Sequence, residues 1–505
     1  MNQNIKANML SNLLGKIVSL FFPIKKTEIK KYLPTAMMMF IILFNYNVVR
    51  TLKDALIIAD RISGAEAVNF LKTFVVLPAS IIFVLLYSKI SNMFSKTNVF
   101  YVCIAPFIVF NIVFTYILYP NVGSLHPSAE SIQALKLAYP KLRSVFPAYG
   151  LWTYSLYYTF SELWGTVGMT LLFWQFANRI VKSEESKRFY PSFGLVGNIG
   201  FTIASFMVMN VVSSPSSFAQ NFTYIMNVVI ILSLVLVAIY WGINKYVLTD
   251  EDIDCNINKP KKKKVKPSLV ESFKIIFSSK YLGCIMLLIF SYNSMINLVE
   301  VTWKSQVKAY TFSNDAEAAR SGYTALIAKT NAYTGSVSIL LFATANFLLS
   351  RFKWAVSASI TPIIMVSTSI LFFLFTVFPK FAGPLTSMLS VTPLFLAVIM
   401  GAIQNVASKS TKYSLFDPTK EMTYIPLDSE LKSKGKAAVD IAGSRISKSF
   451  GGLVQLFLLF VTGGSQLDIA PYLMIFIVTI GVIWFVAIKL LSKQYDEALK
   501  SDKCE

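Results

Sequence analysis

Runs of about 20 apolar residues, separated by short polar or charged stretches, recur from one end of the chain to the other. Each run is long enough to carry an α-helix across the roughly 30 Å hydrocarbon layer of a bilayer. In the first half they cover 33–52, 68–90, 98–119, 147–176, 189–213 and 222–244; in the second, 281–302, 325–350, 354–378, 385–408, 437–462 and 470–491. Between the halves lies the most polar stretch, where Thr249-Asp-Glu-Asp-Ile-Asp254 gives way to Lys259-Pro-Lys-Lys-Lys-Lys-Val-Lys-Pro267. The pattern predicts an all-α polytopic membrane protein with twelve transmembrane helices in two six-helix bundles, 33–244 and 281–491. An N-terminal segment (1–32), a Lys-rich linker (245–280) and a tail (492–505) make up the remainder.

Composition supports lipid as the main solvent: 55% of the residues are hydrophobic and 14% charged, whereas soluble domains carry about 25% charged residues. A soluble enzyme is thereby excluded. The formal charge of +21 would suggest a nucleic-acid partner in a soluble protein, but beside membrane spans it sets topology. If the twelve spans hold, about 33 of the Lys and Arg residues fall on the side of the two termini and about 11 on the other. That bias places both termini and the lysine run in the cytoplasm, facing anionic lipid rather than nucleic acid. Residues 1–32 show neither a cleavable signal pattern nor an Arg- and Ser-rich transit peptide.

The four cysteines are scattered without metal-ligand spacing, and His126, the one histidine, reads as a solvated loop residue between Gly123 and Pro127. No metal or cofactor is expected. No Walker A or GxGxxG stretch is present either, so a hydrolytic pump would need a separate motor.

Two short matches relate the halves at a six-helix offset. Phe44-Asn-Tyr46-Asn47 with Leu52 and Asp54 lines up with Phe290-Ser-Tyr292-Asn293 with Leu298 and Glu300. Arg188-Phe-Tyr-Pro-Ser192-Phe193-Gly194 lines up with Arg445-Ile-Ser-Lys-Ser449-Phe450-Gly451. Duplicated six-helix units are a common origin of transporters, and the repeat favours a 6+6 arrangement like the major facilitator fold.

Ionisable side chains within spans are costly unless they face a cavity or a partner, so they mark the candidate site. Arg50, Lys53 and Asp54 close the first span; Glu162 sits inside an aromatic one; Glu300 closes the seventh. Lys434, Lys436, Asp440, Arg445 and Lys448 lead into the eleventh, with Lys436 and Asp440, and Arg445 and Lys448, at spacings that share a helix face. Cations outnumber anions in this set, which suits an oligophosphate or another polyanion, because guanidinium binds phosphate bidentately and lysine supplies a point charge. Tyr46, Trp152, Tyr154, Tyr157, Tyr158 and Trp164 read as packing and interfacial aromatics, with stacking on a base as the alternative.

Six stretches stand out together: Asn45-Tyr-Asn-Val-Val-Arg-Thr-Leu-Lys-Asp54, Ser161-Glu-Leu-Trp-Gly165, Phe173-Trp-Gln-Phe-Ala-Asn178, Asn297-Leu-Val-Glu300, Lys412-Tyr-Ser-Leu-Phe-Asp-Pro-Thr-Lys-Glu421 and Lys434-Gly-Lys-Ala-Ala438. They resemble the non-mitochondrial nucleotide transporter family, the ATP/ADP translocases of obligate intracellular bacteria and plastids, and within it the rickettsial carriers. The resemblance implies import of ATP in exchange for ADP, with GTP, CTP or UTP carried by some relatives. It also implies functional roles for Lys53, Glu162, Glu300 and one lysine of the Lys434/Lys436 pair. The partners so implied are ATP, ADP and the lipid bilayer, in a protein compatible with function as a monomer. A proton-coupled carrier of another organic phosphate is the alternative among transporters, and a membrane-embedded transferase the alternative outside them.

Overall fold

The computed structural model describes residues 24–248, 279–427, 439 and 444–501. The Lys-rich run of the linker, and Lys434, Lys436 and Asp440, lie outside the described residues. Among those described, the chain is helical throughout and has no strand. Without water in the hydrocarbon layer every backbone N–H and C=O must find its partner inside the segment, and a helix achieves this without neighbours.

In chain order the long helical segments are α1 (Ile29–Ile58), α2 (Ala65–Met93), α3 (Thr97–Leu118), α4 (Trp152–Trp164, continued as Gly165–Phe173 and Trp174–Ile180), α5 (Ser183–Val212) and α6 (Phe218–Val247). The second half supplies α7 (Lys280–Tyr310), α8 (Ala316–Arg351), α9 (Trp354–Val377), α10 (Pro393–Thr411, continued as Lys412–Phe416 and Asp417–Met422), α11 (Ser444–Thr462) and α12 (Ala470–Ser501).

Eight helices among the described residues are long and apolar enough to cross a membrane, or nine if a pair bent by 96° between Pro379–Leu389 and Pro393–Met422 forms one span. They fall on eight of the twelve expected runs. The other four have physical reasons to fall short. The α4 run is rich in Tyr and Trp, which hydropathy scales rate low. The α8 run is interrupted by Lys329, Asn331 and a series of Thr and Ser residues. The α10 run is bent at its entrance, and the described apolar part of α11 is short, Ser449–Thr462.

In the first half α1 packs against α4, α5 and α6; in the second, α7 packs against α10, α11 and α12. The six-helix offset of the sequence repeat thus recurs in the packing. Glycine sets the closest approach between α1 and α5: a Cβ on Gly200 would stand 2.5 Å from the carbonyl oxygen of Phe40. Between the halves α5 lies along α8, and there a Cβ on Gly335 would collide with the Thr202 hydroxyl. Small residues at such crossings let backbones meet closely, which in lipid replaces the hydrophobic drive of a soluble core.

π-Helical stretches among the described residues include Leu71–Val76 in α2, Phe114–Leu118 in α3, Gly165–Phe173 in α4, Ile243–Val247 in α6 and Lys412–Phe416 in α10. Such turns are rare and cluster at functional sites.

Candidate functional site

The charged residues expected at the ends of the first and seventh spans meet in one layer between the halves. On α1, Lys53 Nζ lies 2.9 Å from Asp54 Oδ1 and 2.9 Å from Glu162 Oε1 of α4, and 3.7 Å above the Tyr158 ring. On α7, Lys304 Nζ lies 2.8 Å from Asp54 Oδ2 and 3.0 Å from Glu300 Oε1. The same Glu300 oxygen accepts from Arg50 of α1 at 3.3 Å and from Lys409 of α10 at 3.2 Å. The Asp54–Lys304 and Arg50–Glu300 pairs therefore join the first half to the second. The side chains of Lys53, Asp54 and Lys304 are only 2%, 3% and 4% exposed, so each charge is held by its neighbours rather than by water.

The repeat partners Asp54 and Glu300 stand on either side of one ammonium group, Lys304. The tyrosines of the same repeat also correspond: Arg50 lies over the Tyr46 ring and Lys412 over the Tyr292 ring. The second repeat match fares differently. Arg188 forms an ion pair with Glu28 at the start of α1, beside Lys31–Glu185, away from the layer. Arg445 and Lys448 belong to the first turns of α11, and their side chains lie outside what is described.

Three lysines of this region were not singled out from the sequence: Lys304, Lys409 and Lys72. Lys304 carried a signal, since it stands four residues after Glu300 on the same helix face. Lys72 stands near the start of the second expected run, where a topogenic role accounts for a lysine, and Lys409 lies one residue past the end of the tenth. Lys72 lies within electrostatic reach of Lys304, Glu300, Glu162 and Lys53. Among the described residues the layer then contains five cations, Arg50, Lys53, Lys72, Lys304 and Lys409, against three carboxylates, Asp54, Glu162 and Glu300.

A second set of bonds joins the halves beyond the far ends of α1 and α7. Asp60 pairs with Arg320 of α8, Lys308 of α7 donates to the carbonyls of Asp60 and Ser63, and Arg61 donates to the Asn314 carbonyl. Deeper in, Asn331 of α8 donates to Asn47 Oδ1 and Thr51 Oγ1, both at 3.2 Å. A buried amide chain runs from Asn69 of α2 through Gln466 to Gln455 and Asn297.

On that same side lies His126, which is not the solvated loop residue its surroundings in sequence suggested. It is half-buried, its Nε2 is 2.7 Å from Thr153 Oγ1 and its ring stands edge-on to Tyr154. Burial lowers its pKa. The aromatics of α4 are packed: Tyr154, Tyr157 and Tyr158 are buried, and the Trp152 and Trp164 indoles donate to the Leu125 and Ile42 carbonyls. No group of three or more His, Cys, Asp or Glu residues suited to a metal occurs among the described residues.

Residues 8–495 match the family model of the TLC ATP/ADP transporters. The chain belongs to that family. It is 41% identical over 491 residues to ADP,ATP carrier protein 1 of Rickettsia bellii, covering 96% of this chain and 97% of the relative. It is 40% identical over 504 residues to ADP,ATP carrier protein 1 of Chlamydia pneumoniae, covering 97% and 96%. With the chloroplastic ADP,ATP carrier protein 2 of Arabidopsis thaliana it shares 38% identity over 493 residues, covering 96% of this chain and 78% of the relative. Among solved structures, the fold is similar to a D-xylose–proton symporter, with a TM-score of 0.56 at 12% identity over 92% of this chain and 96% of that one. The inward-open xylose transporter of E. coli gives 0.53 at 10% identity, covering 91% and 94%. This member of the TLC ATP/ADP transporters is thus a membrane transporter and not an enzyme, with the helical fold of major-facilitator-like carriers.

Proposed function

We propose that the chain is a nucleotide antiporter of the bacterial inner membrane, importing ATP in exchange for ADP by alternating access. Its twelve spans form two six-helix bundles, 33–244 and 281–491, with both termini and the linker cytoplasmic and the site complete within one chain. The observation that carries this reading is the charged layer between the halves, with two more cations than carboxylates, in a chain of this family. Arg50 and Lys53, with Lys434, Lys436, Arg445 and Lys448, supply positive charge for the phosphates, while Asp54, Glu162, Glu300 and Asp440 orient those cations and limit how tightly the nucleotide is held.

Exchange follows from the charge balance. Closing the halves around surplus positive charge carries a desolvation cost, and an empty carrier reorients slowly for that reason. A bound nucleotide neutralises the surplus and lets the halves close. Because the outer bonds through Asp60, Arg320, Lys308 and Arg61 are made, the described conformation corresponds to one closed on the outer side.

The test is uptake of labelled ATP, ADP, GTP, CTP and UTP into liposomes containing the pure protein, with and without nucleotide inside. ATP uptake that requires internal ADP supports the proposal. Preference for another nucleotide would keep the mechanism and change the substrate, and uptake driven by a proton gradient without internal nucleotide would overturn the exchange.

A further inference from the structure

Lys53 and Lys304 each touch two carboxylates, and Arg50 is held between Glu300 and the Tyr46 ring. Two cations of the layer are less committed. Lys72 has no ion-pair or hydrogen-bond partner among the described residues. Among the described residues Lys409 reaches only Glu300 Oε1, an oxygen that Lys304 and Arg50 already share. Three carboxylates balance three of the five cations, so these two lysines hold the surplus charge.

Each also lies in or just before a π-helical stretch. Lys72 lies in the π-helical stretch Leu71–Val76, which packs on α4 of its own half and on α11 of the other. The next residue, Thr73, stands 3.1 Å from where a Cβ on Gly452 of α11 would be, so Lys72 sits where the halves meet. Lys409 precedes the π-helical stretch that begins at Lys412 by three residues. Glu162 precedes the one beginning at Gly165 by the same three, on the helix six places earlier. The repeat therefore puts a carboxylate in α4 and an ammonium in α10 at equivalent points. A π turn re-aims the side chains around it and is less tightly bonded than an α turn, which allows the lysine beside it to change partner.

We propose that Lys72 and Lys409, one from each half, are phosphate-binding residues of this carrier, taking the terminal phosphates of the nucleotide as the halves close on it. The proposal rests on the nucleotide-exchange reading above. Lys409 leaves Glu300 to Lys304 and Arg50 when the phosphate arrives, so the carboxylate is never stranded. Lys72 gains in the bound state the charge partner that the described residues do not give it.

Equilibrium binding of labelled ATP and AMP to the purified full-length protein in lipid nanodiscs tests this for the parent, Lys72→Gln, Lys409→Gln and Lys72→Arg. The ratio of the two dissociation constants is read, because neither constant depends on the fraction of protein that is folded. In each Gln variant the preference for ATP over AMP should fall about tenfold or more, the scale of a lost charge-assisted contact, and Lys72→Arg should retain most of it. A parent that binds ATP, with both Gln variants keeping its ATP-over-AMP preference within twofold, overturns the lysine assignment and leaves the exchange reading standing. A parent that binds no nucleotide overturns both.

Discussion

Replacing Lys304 by Met removes the ammonium that ties Asp54 of the first half to Glu300 of the second, at 2.8 and 3.0 Å. Breaking a buried ion pair by deleting one member usually costs about 3–5 kcal/mol, because the partner is left charged and unpaired. Here neither carboxylate is stranded: Asp54 keeps Lys53 at 2.9 Å, and Glu300 keeps Lys409 at 3.2 Å and Arg50 at 3.3 Å. The loss should therefore be closer to that of one charge-assisted hydrogen bond across the halves, about 1.5–3 kcal/mol. At about 1.4 kcal/mol per factor of ten, the balance should move roughly 10- to 150-fold toward the state open on the outer side.

Ser63 reports that balance, because it is buried at 5% exposure and its carbonyl takes the Lys308 ammonium. With Ser63→Cys in a background lacking Cys103, Cys255, Cys284 and Cys504, an impermeant thiol reagent added outside should label Lys304→Met faster by about ten- to a hundredfold. Asp54→Asn combined with Lys304→Met should cost less than the two changes separately, with a coupling of about 0.5–3 kcal/mol. Unchanged labelling in a Lys304→Met protein of parental thermal stability would refute the assignment of this pair to the contact between the halves.

Glu162→Gln takes one of the two carboxylates from Lys53 and should lower exchange in proteoliposomes about tenfold or more without altering insertion; a parental rate would remove Glu162 from the site. Arg320→Ala frees Asp60, so the outward-facing state gains population and the external ATP concentration giving half-maximal uptake should drop about two- to fivefold. Gly200→Val drives two methyl groups toward the Phe40 carbonyl and should destabilise the α1–α5 contact by about 1–3 kcal/mol, visible as a lower unfolding temperature in detergent. His126 has its pKa lowered by burial, so its neutral ring contributes fully above about pH 6.5, the ordinary unfolded value, and that contribution is lost as the pH falls below it. His126→Asn should flatten the acid side of a stability-against-pH curve, and an identical curve would dismiss the residue as its cause.

The sequence made most of the helices and five of the eight charged residues described in the layer readable. Apolar runs announced the spans because lipid leaves the backbone no other structure, and Asp54 and Glu300 were legible as a pair because duplication kept an acid at both positions. Glu162 stood out as a carboxylate in an aromatic run. What the sequence could not announce was partnership between distant helices: Lys304 meets Asp54 from 250 residues away, and nothing in the linear spacing of either names the other. Lys72 was hidden for a different reason. A lysine near a span end has an adequate explanation in topology, and only the packing of α2 against both halves distinguishes it from a charge that faces lipid headgroups.

The meeting of Thr202 and Gly335 turns α5 into an unequal lever. With a rise of about 1.5 Å per residue, the outer arm from Thr202 to Val212 is roughly 15 Å long and the inner arm from Thr202 to Ser183 roughly 28 Å. A tilt of about 10° pivoting there would move the outer end by about 2.6 Å and the inner end by about 5 Å. Turned one way, the smaller travel is already enough to part hydrogen-bonded groups such as Asp60 and Arg320 as the Ser183 end swings inward; turned the other way, the larger travel widens the mouth at the Ser183 end by more than the thickness of an aromatic base. One rotation of modest size can then close one face as it opens the other for a bulky solute, and any side chain larger than hydrogen at position 335 would set a wedge under the pivot.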